Sequence, residues 1–332
     1  MHYGSGARTC LRAARPHNRE PTMLACEPTQ LIERPLDVDS GGIDTTGLDA
    51  SAVMALAQFQ NTRDRDLRGN DRVFIVESPR VVRRFLRSRW ACSAMLTTTS
   101  LWPAFADAVQ ARPEVISVFL ASEAAITQLS GYRFHGGALA IGRRTWHPPS
   151  SDDLFASLPD GVSLRLLVAS GIVQVDNVGG LFRNASCFGV HGILLEHDCA
   201  DPLLRKTIRF SMGRVFDMPW GISRDLVADI ERIRARGVHV AALELTADAR
   251  PVSELPRDGS IALIVGNEAR GIRAEVLAAC DRRYKIPAPA SDEDGEQRSL
   301  NVSVASGIAL YALLAGEYES ASALHRESEP GP

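Results

Sequence analysis

Short apolar runs alternate with segments of helical periodicity throughout the second half of the chain. The runs predict strands at 164–169, 192–196, 238–245, 261–265 and 283–286, and the periodic segments predict helices at 180–188, 202–209, 224–236, 274–279 and 301–314. Nearly continuous apolar strands between helices are typical of a mostly parallel sheet that is covered on both faces. The pattern therefore predicts an α/β domain whose ligands bind beyond the carboxyl ends of its strands.

A smaller α/β pattern precedes this domain. In "FIVESPRVVRRFLRSRW" a short apolar strand at 74–76 is followed by apolar residues at helical spacing, with arginines on the other face. The runs at 115–121 and 137–144 predict two further strands. The first half of the chain is therefore expected to hold a separate, smaller α/β domain.

The stretch "WHPPSSDD" marks the clearest boundary, because Pro and Ser cluster there between two periodic regions. A chain of 332 residues, 45% hydrophobic and 23% charged, is long enough for two domains with cores of their own. The predicted organisation is a disordered extension at 1–45, a small domain at 46–146, a linker at 147–160, a larger domain at 161–322 and a flexible tail at 323–332.

Composition argues against several classes of protein. No stretch approaches the roughly 20 apolar residues of a membrane-spanning helix, and the N-terminal region lacks the apolar segment of a signal peptide. The six cysteines are scattered without a C-x-x-C pair, which argues against a zinc site and a disulfide framework and fits a reducing compartment. We therefore expect a cytoplasmic protein with no metal and no membrane association.

The net charge of −3 conceals a basic region. Between Arg63 and Arg144 there are thirteen Arg and seven Asp or Glu, an excess of six positive charges. Such a surface can attract a polyanion, although solvated Arg-rich helices are also common. The candidate nucleic-acid contacts are Arg83, Arg84, Arg87, Arg89, Arg133 and His135.

One loop has the order of a phosphate-binding loop without its chemistry. In "LIVGNEARGIRAEVL" an apolar strand ends at Gly266, Gly271 follows five residues later, and a helical segment comes next. A P-loop then requires Lys and Ser or Thr, but Ile272 and Arg273 stand there. The chain also lacks a G-x-G-x-x-G dinucleotide fingerprint at its strand-to-helix turns. Neither a P-loop enzyme nor a dinucleotide-dependent enzyme is supported.

Two other loops carry polar residues after predicted strands. "DNVGGLFRNASCFGV" places Asn177 beside two glycines, with Arg183 on the helix that follows. In "IPAPASDEDGEQRSLNVSVA", Ser299 and Asn301 bracket Leu300 where an apolar helix begins, and either polar residue suits a helix N-cap. A cap explains only one of those two residues.

Taken together, "NVGGLFRNA", "LIVGNEARGI" and "IP…GEQRSLNVSVA" resemble the three ordered motifs of the SpoU/TrmH branch of the SPOUT RNA methyltransferases. The resemblance spans roughly 164–311, and "DPLLRKTIRFSMGRVFDMPW" is similar to the segment between the first two motifs. The first domain, with "FIVESPRVV" and "GYRFHGGALAIGRR", resembles the ribosomal-protein-like substrate-binding domain often fused ahead of this unit. The resemblance implies a SPOUT-type parallel sheet with a deep trefoil knot, and a homodimer formed through the knotted domain.

The resemblance also implies an enzyme that transfers a methyl group from S-adenosylmethionine to a ribose 2′-hydroxyl of structured RNA, rRNA or tRNA. The family's catalytic positions fall on Arg183, Asn177, Glu268, Ser299 and Asn301. Its cofactor-binding positions fall on Gly266, Asn267, Gly271, Ile286, Pro287, Ser299 and Leu300. Recognition of the cofactor by backbone groups explains why these loops need glycine and apolar residues.

By the same analogy, Asn177 orders the first loop, Arg183 faces the attacking hydroxyl, and Glu268 anchors the second loop. A guanidinium is effectively always protonated, so holding the hydroxyl and stabilising developing negative charge suits Arg183 at least as well as acting as a base. The proton acceptor stays open. The chain departs from the family in the acidic stretch 288–294, which is longer than usual and is expected to bulge outward.

Two alternatives to a ribose methyltransferase remain. A base methyltransferase of the same fold would leave the 2′-hydroxyl free, and an RNA-binding protein of this fold could have lost catalysis. Retention of all five polar motif residues argues against the inactive protein.

Overall fold

The computed structural model describes residues 38–39, 42–43, 48–60, 72–131, 136–144, 147–287 and 299–327. Most of the extension predicted at 1–45, and the acidic stretch 288–294, lie outside the described residues. The strands are β1 (Val38–Asp39), β2 (Gly42–Ile43), β3 (Val73–Glu77), β4 (Cys92–Thr97), β5 (Ser117–Leu120), β6 (Ala138–Arg143), β7 (Arg165–Ser170), β8 (Gly192–Glu196), β9 (Trp220–Ser223), β10 (His239–Leu243), β11 (Arg250–Pro251), β12 (Ile261–Gly266) and β13 (Arg282–Lys285). The α-helices are α1 (Ala50–Ala57), α2 (Pro79–Leu86), α3 (Ala106–Gln110), α4 (Glu123–Ser130), α5 (Ser151–Ser157), α6 (Val175–Cys187), α7 (Arg205–Phe210), α8 (Leu226–Ala235), α9 (Ala274–Ala279) and α10 (Val302–Glu327).

Seven parallel strands form the larger sheet, in the order β11-β13-β10-β12-β7-β8-β9. The parallel sheet predicted from the apolar runs is thereby confirmed, with β9 and β11 as additional edge strands. β12 lies at the centre and pairs with β7 along its whole length, from Ile261 opposite Arg165 to Gly266 opposite Ser170. Because the strands are parallel, β7, β10, β12 and β13 all end at the same edge of the sheet.

Alternate residues of the central strands enter two separate cores. Leu166 and Val168 of β7 pack with α5, α8 and α9 on one face. Leu167 and Ala169 pack with α6, α7 and α10 on the other face. All four side chains are at most 3% exposed, so the strand is apolar on both sides, as its sequence predicts.

A four-stranded sheet in the order β3-β6-β4-β5 lies in the first half of the chain. β6 pairs antiparallel with both β3 and β4, whereas β4 and β5 are parallel. Helices α1 and α4 cover one face of this sheet. The strands predicted around 74–76, 115–121 and 137–144 are present as β3, β5 and β6, and β4 between them was not predicted.

Aromatic side chains join the two sheets into one continuous core. The ring of Phe216 lies 5.8 Å from that of Phe74 and 5.1 Å from that of Phe85, measured between centroids. Trp90 stacks on Trp220 at 5.9 Å with the ring planes 12° apart. Phe74 lies on β3, Phe85 on α2, and Trp90 just after α2. The larger α/β unit therefore covers the face of the smaller sheet that α1 and α4 leave open.

A buried carboxylate reinforces this contact. Glu77, at the end of β3, is 6% exposed and accepts hydrogen bonds from Arg205 Nε at 2.7 Å and Arg209 Nη1 at 3.2 Å. Arg144 forms a further ion pair with Asp201 at 2.7 Å. Helix α7, which carries both arginines, therefore lies between the smaller sheet and α6.

The segment predicted as a linker at 147–160 contains a helix instead. Ser150 accepts from Asp153 N at 3.2 Å while Asp153 accepts from Ser150 N at 2.8 Å, which is a complete capping box at the start of α5. Leu154 and Phe155 are buried against the larger sheet. The polar run "SSDD" is therefore the start of a helix inside the segment predicted as a linker, and the domain boundary there stays a prediction.

Helix α6 begins five residues before the helix predicted at 180–188, so the first motif is helical and the expected loop is absent there. A Cβ on Gly179 would lie 2.5 Å from Phe210 Cβ, and one on Gly180 would lie 2.7 Å from Ser303 Cβ. The two glycines therefore lie within a helix and allow α7 and α10 to approach it closely.

Helix α10 runs to Glu327, past residue 322 where the domain was expected to end. Within the part of the chain that the structure describes, no helix has the length and apolarity needed to cross a bilayer.

Candidate functional site

A cavity of about 690 Å³ opens at the carboxyl edge of the larger sheet. Its walls are the residues that follow β10, the loop after β12, the residues that follow β13, and the start of α10. A cavity of this size and place matches the usual location of ligands in parallel α/β sheets. All seven residues predicted to bind a cofactor line it, namely Gly266, Asn267, Gly271, Ile286, Pro287, Ser299 and Leu300.

The loop after β12 is shaped by Asn267. Its Nδ2 donates to Gly171 O at 2.7 Å, and its Oδ1 accepts from the backbone N–H groups of Ala269 at 2.9 Å and Arg270 at 3.1 Å. Gly271 N donates to Asn267 O at 2.8 Å and closes the turn. One asparagine thus fixes the loop both to itself and to the end of β7.

Two glycines are required by this loop for different reasons. Gly271 has a φ of +67°, which lies in the left-handed region that favours glycine. Gly266 has an ordinary φ, but a Cβ there would lie 2.5 Å from Ile272 N. The glycine spacing that resembles a P-loop therefore serves a tight, self-contacting turn.

Residues from the three motifs meet in one hydrogen-bonded chain. Asn301 Nδ2 donates to Asn177 Oδ1 at 2.8 Å, and Asn177 Nδ2 donates to Glu268 Oε1. Asn177 is 3% exposed, so its amide is held on both sides inside the protein. Asn301 Oδ1 also accepts from Ser303 N at 2.9 Å, at the start of α10. The structure thus brings together three of the five residues predicted to be catalytic.

Arg183 and Ser299 lie apart from this chain. Arg183 is exposed on α6 and makes no hydrogen bond or ion pair with any residue that the structure describes. It follows Gly179 by one turn, on the side of α6 that approaches α7. Ser299 lines the cavity directly after the undescribed stretch 288–298. Arg183 is not among the residues that line the cavity, and its exposed guanidinium is open to solvent.

Glu244 was not among the predicted site residues. It follows the last residue of β10, lines the cavity, and accepts a hydrogen bond from Ile272 N at 2.8 Å through Oε2. The predicted strand 238–245 ran past it, whereas β10 ends at Leu243. One signal could have identified Glu244. It is a charged residue near the end of an apolar run, at the carboxyl edge of the sheet where the three motifs lie.

A buried carboxylate, Glu196, and a half-buried thiol, Cys199, lie at and after the end of β8. Glu196 is 1% exposed, accepts from Ser170 Oγ at 2.7 Å, and pairs with Arg273 at the start of α9. Burial raises the pKa of the Cys199 thiol to about 12, so this thiol stays protonated at neutral pH. Glu196 does not line the cavity, and it links the end of β7 to the start of α9 through Ser170 and Arg273.

The candidate RNA-binding residues differ in their surroundings. Arg83, Arg87 and Arg89 are exposed on and after α2. Arg84 is half-buried, pairs with Asp217 at 2.8 Å and donates to Met212 O at 2.7 Å. Burial lowers the pKa of Arg84. Arg84 therefore joins the two parts of the chain, while Arg133 and His135 lie outside the described residues.

Within the described ranges, no group of three or more His, Cys, Asp or Glu side chains is arranged to hold a metal ion.

Comparison with known proteins relates the larger α/β unit to one family. Residues 165–311 match the sequence family described as SpoU rRNA Methylase. An uncharacterised tRNA/rRNA methyltransferase of Mycobacterium tuberculosis (strain H37Rv) is 28% identical over 256 residues, which cover 76% of this chain and 84% of that protein. The 23S rRNA (guanosine(2553)-2′-O)-methyltransferase of Bacillus subtilis is 33% identical over 149 residues, which cover 45% of this chain and 57% of that enzyme.

Solved structures share the fold. A TrmH-family protein from Porphyromonas gingivalis, described as a possible RNA methyltransferase, superposes with a TM-score of 0.62 at 24% identity, covering 78% of this chain and 96% of its own. The SpoU methyltransferase AviRb from Streptomyces viridochromogenes superposes with a TM-score of 0.64 at 19% identity, covering 80% and 97%. The α/β fold with a parallel sheet is therefore shared with SpoU-type structures across most of the chain.

Proposed function

We propose that this chain is an S-adenosylmethionine-dependent RNA methyltransferase of the SpoU/TrmH type that modifies a ribose 2′-hydroxyl. The observation that carries the proposal is the hydrogen-bonded chain from Asn301 through Asn177 to Glu268, which joins all three motifs beside one cavity. The family match over 165–311 and the names of the relatives support the same reaction.

The cavity fits S-adenosylmethionine. Its volume of about 690 Å³ lies within the range of roughly 300–1,000 Å³ typical of small-ligand sites. Its wall combines apolar side chains with the tight Gly266–Ile272 turn, where a bulkier residue at either glycine would collide with neighbouring atoms. Ile286, Pro287 and Leu300 would enclose apolar parts of the cofactor, and the backbone beside Gly266 and Gly271 would bind its polar groups. The bound cofactor supplies a methyl group already activated by a positively charged sulfur.

The protein then has to align the two reactants and manage one hydroxyl proton. Correct alignment can lower a reaction barrier by roughly 7–11 kcal/mol, so positioning accounts for much of the expected rate enhancement. Arg183, exposed and without a partner among the described residues, would hold the ribose hydroxyl or a neighbouring phosphate. Its fixed positive charge stabilises the negative charge that develops on the attacking oxygen.

The smaller α/β unit would bind structured RNA, either rRNA or tRNA, through Arg83, Arg87 and Arg89. Replacing all three with alanine should weaken RNA binding. The plot of log binding constant against log salt concentration should become shallower by about two to three units of slope, since each phosphate contact contributes roughly 0.7–0.9. Arg84→Ala is the matched control, because that side chain already pairs with Asp217 at 2.8 Å. An unchanged salt slope in the triple variant would remove this surface from the proposal.

The protein would act as a homodimer. Val304, Ile308 and Tyr311 of α10 are 50%, 37% and 59% exposed and recur at i, i+4 and i+7, which is one apolar stripe on the helix. A second copy of the chain would cover this stripe. Ile308→Asp should shift the molar mass measured by light scattering from dimer to monomer. A wild-type protein that is monomeric at all concentrations would contradict the dimer.

The resemblance also leads us to propose a trefoil knot in the larger unit. It is supported by the position of β13 between β10 and β11 and by the packing of α10 on β12 and α6. We also propose a cytoplasmic location. Cys92, Cys187, Cys199 and Cys280 are free thiols, as is usual in a reducing compartment.

Incubation with methyl-labelled S-adenosylmethionine and purified rRNA or tRNA tests the reaction. We expect label in one of these RNAs with the wild-type protein and at least a hundredfold less with Arg183→Ala, an estimate typical of losing a transition-state contact. Absence of transfer to every rRNA and tRNA offered, with cofactor bound, would favour an RNA-binding protein that has lost catalysis.

A further inference from the structure

Glu244 projects a carboxylate into the wall of the cavity from the end of β10. Oε2 accepts from Ile272 N at 2.8 Å, and Oε1 accepts from Leu245 N at 3.0 Å. Both donors are backbone N–H groups. Within the described part of the chain Glu244 forms no ion pair, and Lys285, one of two cations in the cavity wall with Arg270, donates to Thr246 O at 3.4 Å. The Glu244 carboxylate is therefore hydrogen-bonded to backbone N–H groups and not paired with a charged side chain.

Gly271 makes this contact possible. A Cβ at Gly271 would lie 2.5 Å from Glu244 Oε2 and 3.1 Å from its Cδ. Those distances are well inside van der Waals contact, so a larger residue at 271 would force the Glu244 carboxylate to leave its present position. Glu244 and Gly271 are thus a sterically matched pair on adjacent segments of the cavity wall.

The contact joins the two segments that shape one side of the cavity. The 266–272 loop is already fixed to β7 at its start, through Asn267 and Gly171. Its far end is fixed to β10 by the bond between Ile272 and Glu244. A hydrogen bond from a backbone N–H to a carboxylate is charge-assisted and about twice as strong as a neutral one. Fixing both ends before a ligand arrives removes part of the ordering cost of binding.

We propose that Glu244 is a positioning residue that holds the 266–272 loop in its ligand-binding conformation before S-adenosylmethionine binds. The inference rests on the proposed function, because it assigns the cavity to that cofactor. It adds a residue outside the three motifs and a physical reason for Gly271 beyond its backbone conformation. Glu244 acts through the loop, so its loss should raise the KM for the cofactor more than it lowers kcat.

Two variants of Glu244 separate a positioning role from general packing. Glu244→Ala removes both acceptors and should weaken binding of S-adenosylmethionine at least about tenfold, the size expected for losing a charge-assisted bond. Glu244→Gln keeps one acceptor oxygen and should recover most of that affinity. Glu254→Ala is the matched control, because Glu254 is 49% exposed and pairs with Arg250 outside the cavity wall; it should bind the cofactor like the wild type.

A double-mutant cycle tests the contact between the two segments. Gly271→Ala in the wild type combines backbone strain with the collision against Glu244, whereas in the Glu244→Ala background only the strain remains. We therefore expect Gly271→Ala to cause a smaller fold-loss in cofactor affinity when Glu244 is already alanine. Equal losses in both backgrounds would show that the two positions do not interact and would overturn the proposal.

Amide hydrogen exchange in the cofactor-free protein makes the test independent of the reaction. Glu244→Ala should speed exchange at Ile272 N–H by at least about tenfold, while the β12 amides stay protected. Calorimetry on the same samples reports cofactor affinity. A wild type that does not bind S-adenosylmethionine contradicts the proposed function, and the exchange comparison still decides the role of Glu244. Wild-type exchange at Ile272 together with wild-type affinity in Glu244→Ala would overturn the inference.

Discussion

Replacing Asn177 with alanine should separate the stability of the protein from its activity. Asn177 is 3% exposed on α6, and its amide accepts from Asn301 Nδ2 at 2.8 Å and donates to the Glu268 carboxylate. Asn177→Ala removes both bonds and with them the link between the three motifs. The helix itself loses nothing, because alanine has the better helix propensity.

The structure bounds the cost in stability. A neutral hydrogen bond contributes roughly 1 kcal/mol and one to a charged group roughly 1.5–3 kcal/mol. Glu268 and Asn301 are both exposed, so water can replace the lost partner, and alanine returns about 0.5 kcal/mol of helix propensity. The free energy of unfolding should therefore fall by only about 1–3 kcal/mol. The methyl-transfer rate should fall at least about a hundredfold, since misplacing reactive groups by 1 Å can cost that much.

Asn184→Ala is a matched control on the same helix. Asn184 Nδ2 donates to Ser303 O and to Ser306 Oγ at 3.0 Å, so this variant also loses two hydrogen bonds to α10. It should lose a similar amount of stability in urea unfolding but less than about tenfold in rate, because its partners lie on α10 behind the cavity. Equal losses of activity in both variants would refute the reasoning, as would wild-type activity in folded Asn177→Ala.

Three further predictions concern packing, the contact between the sheets and thiol reactivity. Gly179→Ala places a Cβ 2.5 Å from Phe210 Cβ, so urea unfolding should show a loss of about 1–3 kcal/mol, and an unchanged midpoint would contradict the tight contact. Glu77→Ala removes a carboxylate that is 6% exposed and binds two arginines, so the unfolding free energy should fall by about 3 kcal/mol; a loss under about 0.5 kcal/mol would show that the contact is dispensable. Because burial raises the pKa of Cys199 to about 12 and the thiolate is the nucleophile, iodoacetamide at pH 8 should label exposed Cys187 and spare Cys199, as peptide mass spectrometry would show; equal labelling would contradict this.

Regular strands and helices of the larger unit were predictable because local pattern and tertiary burial agree there. The strand predicted at 192–196 is β8 (Gly192–Glu196), and the helix predicted at 274–279 is α9 (Ala274–Ala279). Both are bounded by turn residues and have one consistent periodicity. Where the two levels agree, a single sequence is enough.

Elements whose burial depends on distant partners were missed. β9 is four residues long, "WGIS", and owes its place to pairing with β8 and to the Trp90 ring that stacks on Trp220. β4 contains Cys, Ser and Ala, and is central only because β5 and β6 flank it. Neither has a local apolar pattern strong enough to distinguish it from a loop.

The candidate site was predicted through its motifs, and its connections required the structure. The family resemblance implied that Asn177, Glu268 and Asn301 act together, but the order of their hydrogen bonds depends on how α6, β12 and α10 pack. Glu244 was hidden because a strand-like run continues to Leu245. The role of Gly179 also required the structure, since a glycine that admits a neighbouring helix looks the same in sequence as one that makes a turn.

The position of the transferred methyl group tests the central claim most directly. RNA methylated with labelled S-adenosylmethionine is hydrolysed completely in alkali, which cleaves next to every free 2′-hydroxyl. The account predicts that the label is recovered in an alkali-stable dinucleotide, because a 2′-O-methyl group blocks cleavage at that position. Label recovered only in mononucleotides would place the methyl group on a base and contradict the ribose assignment.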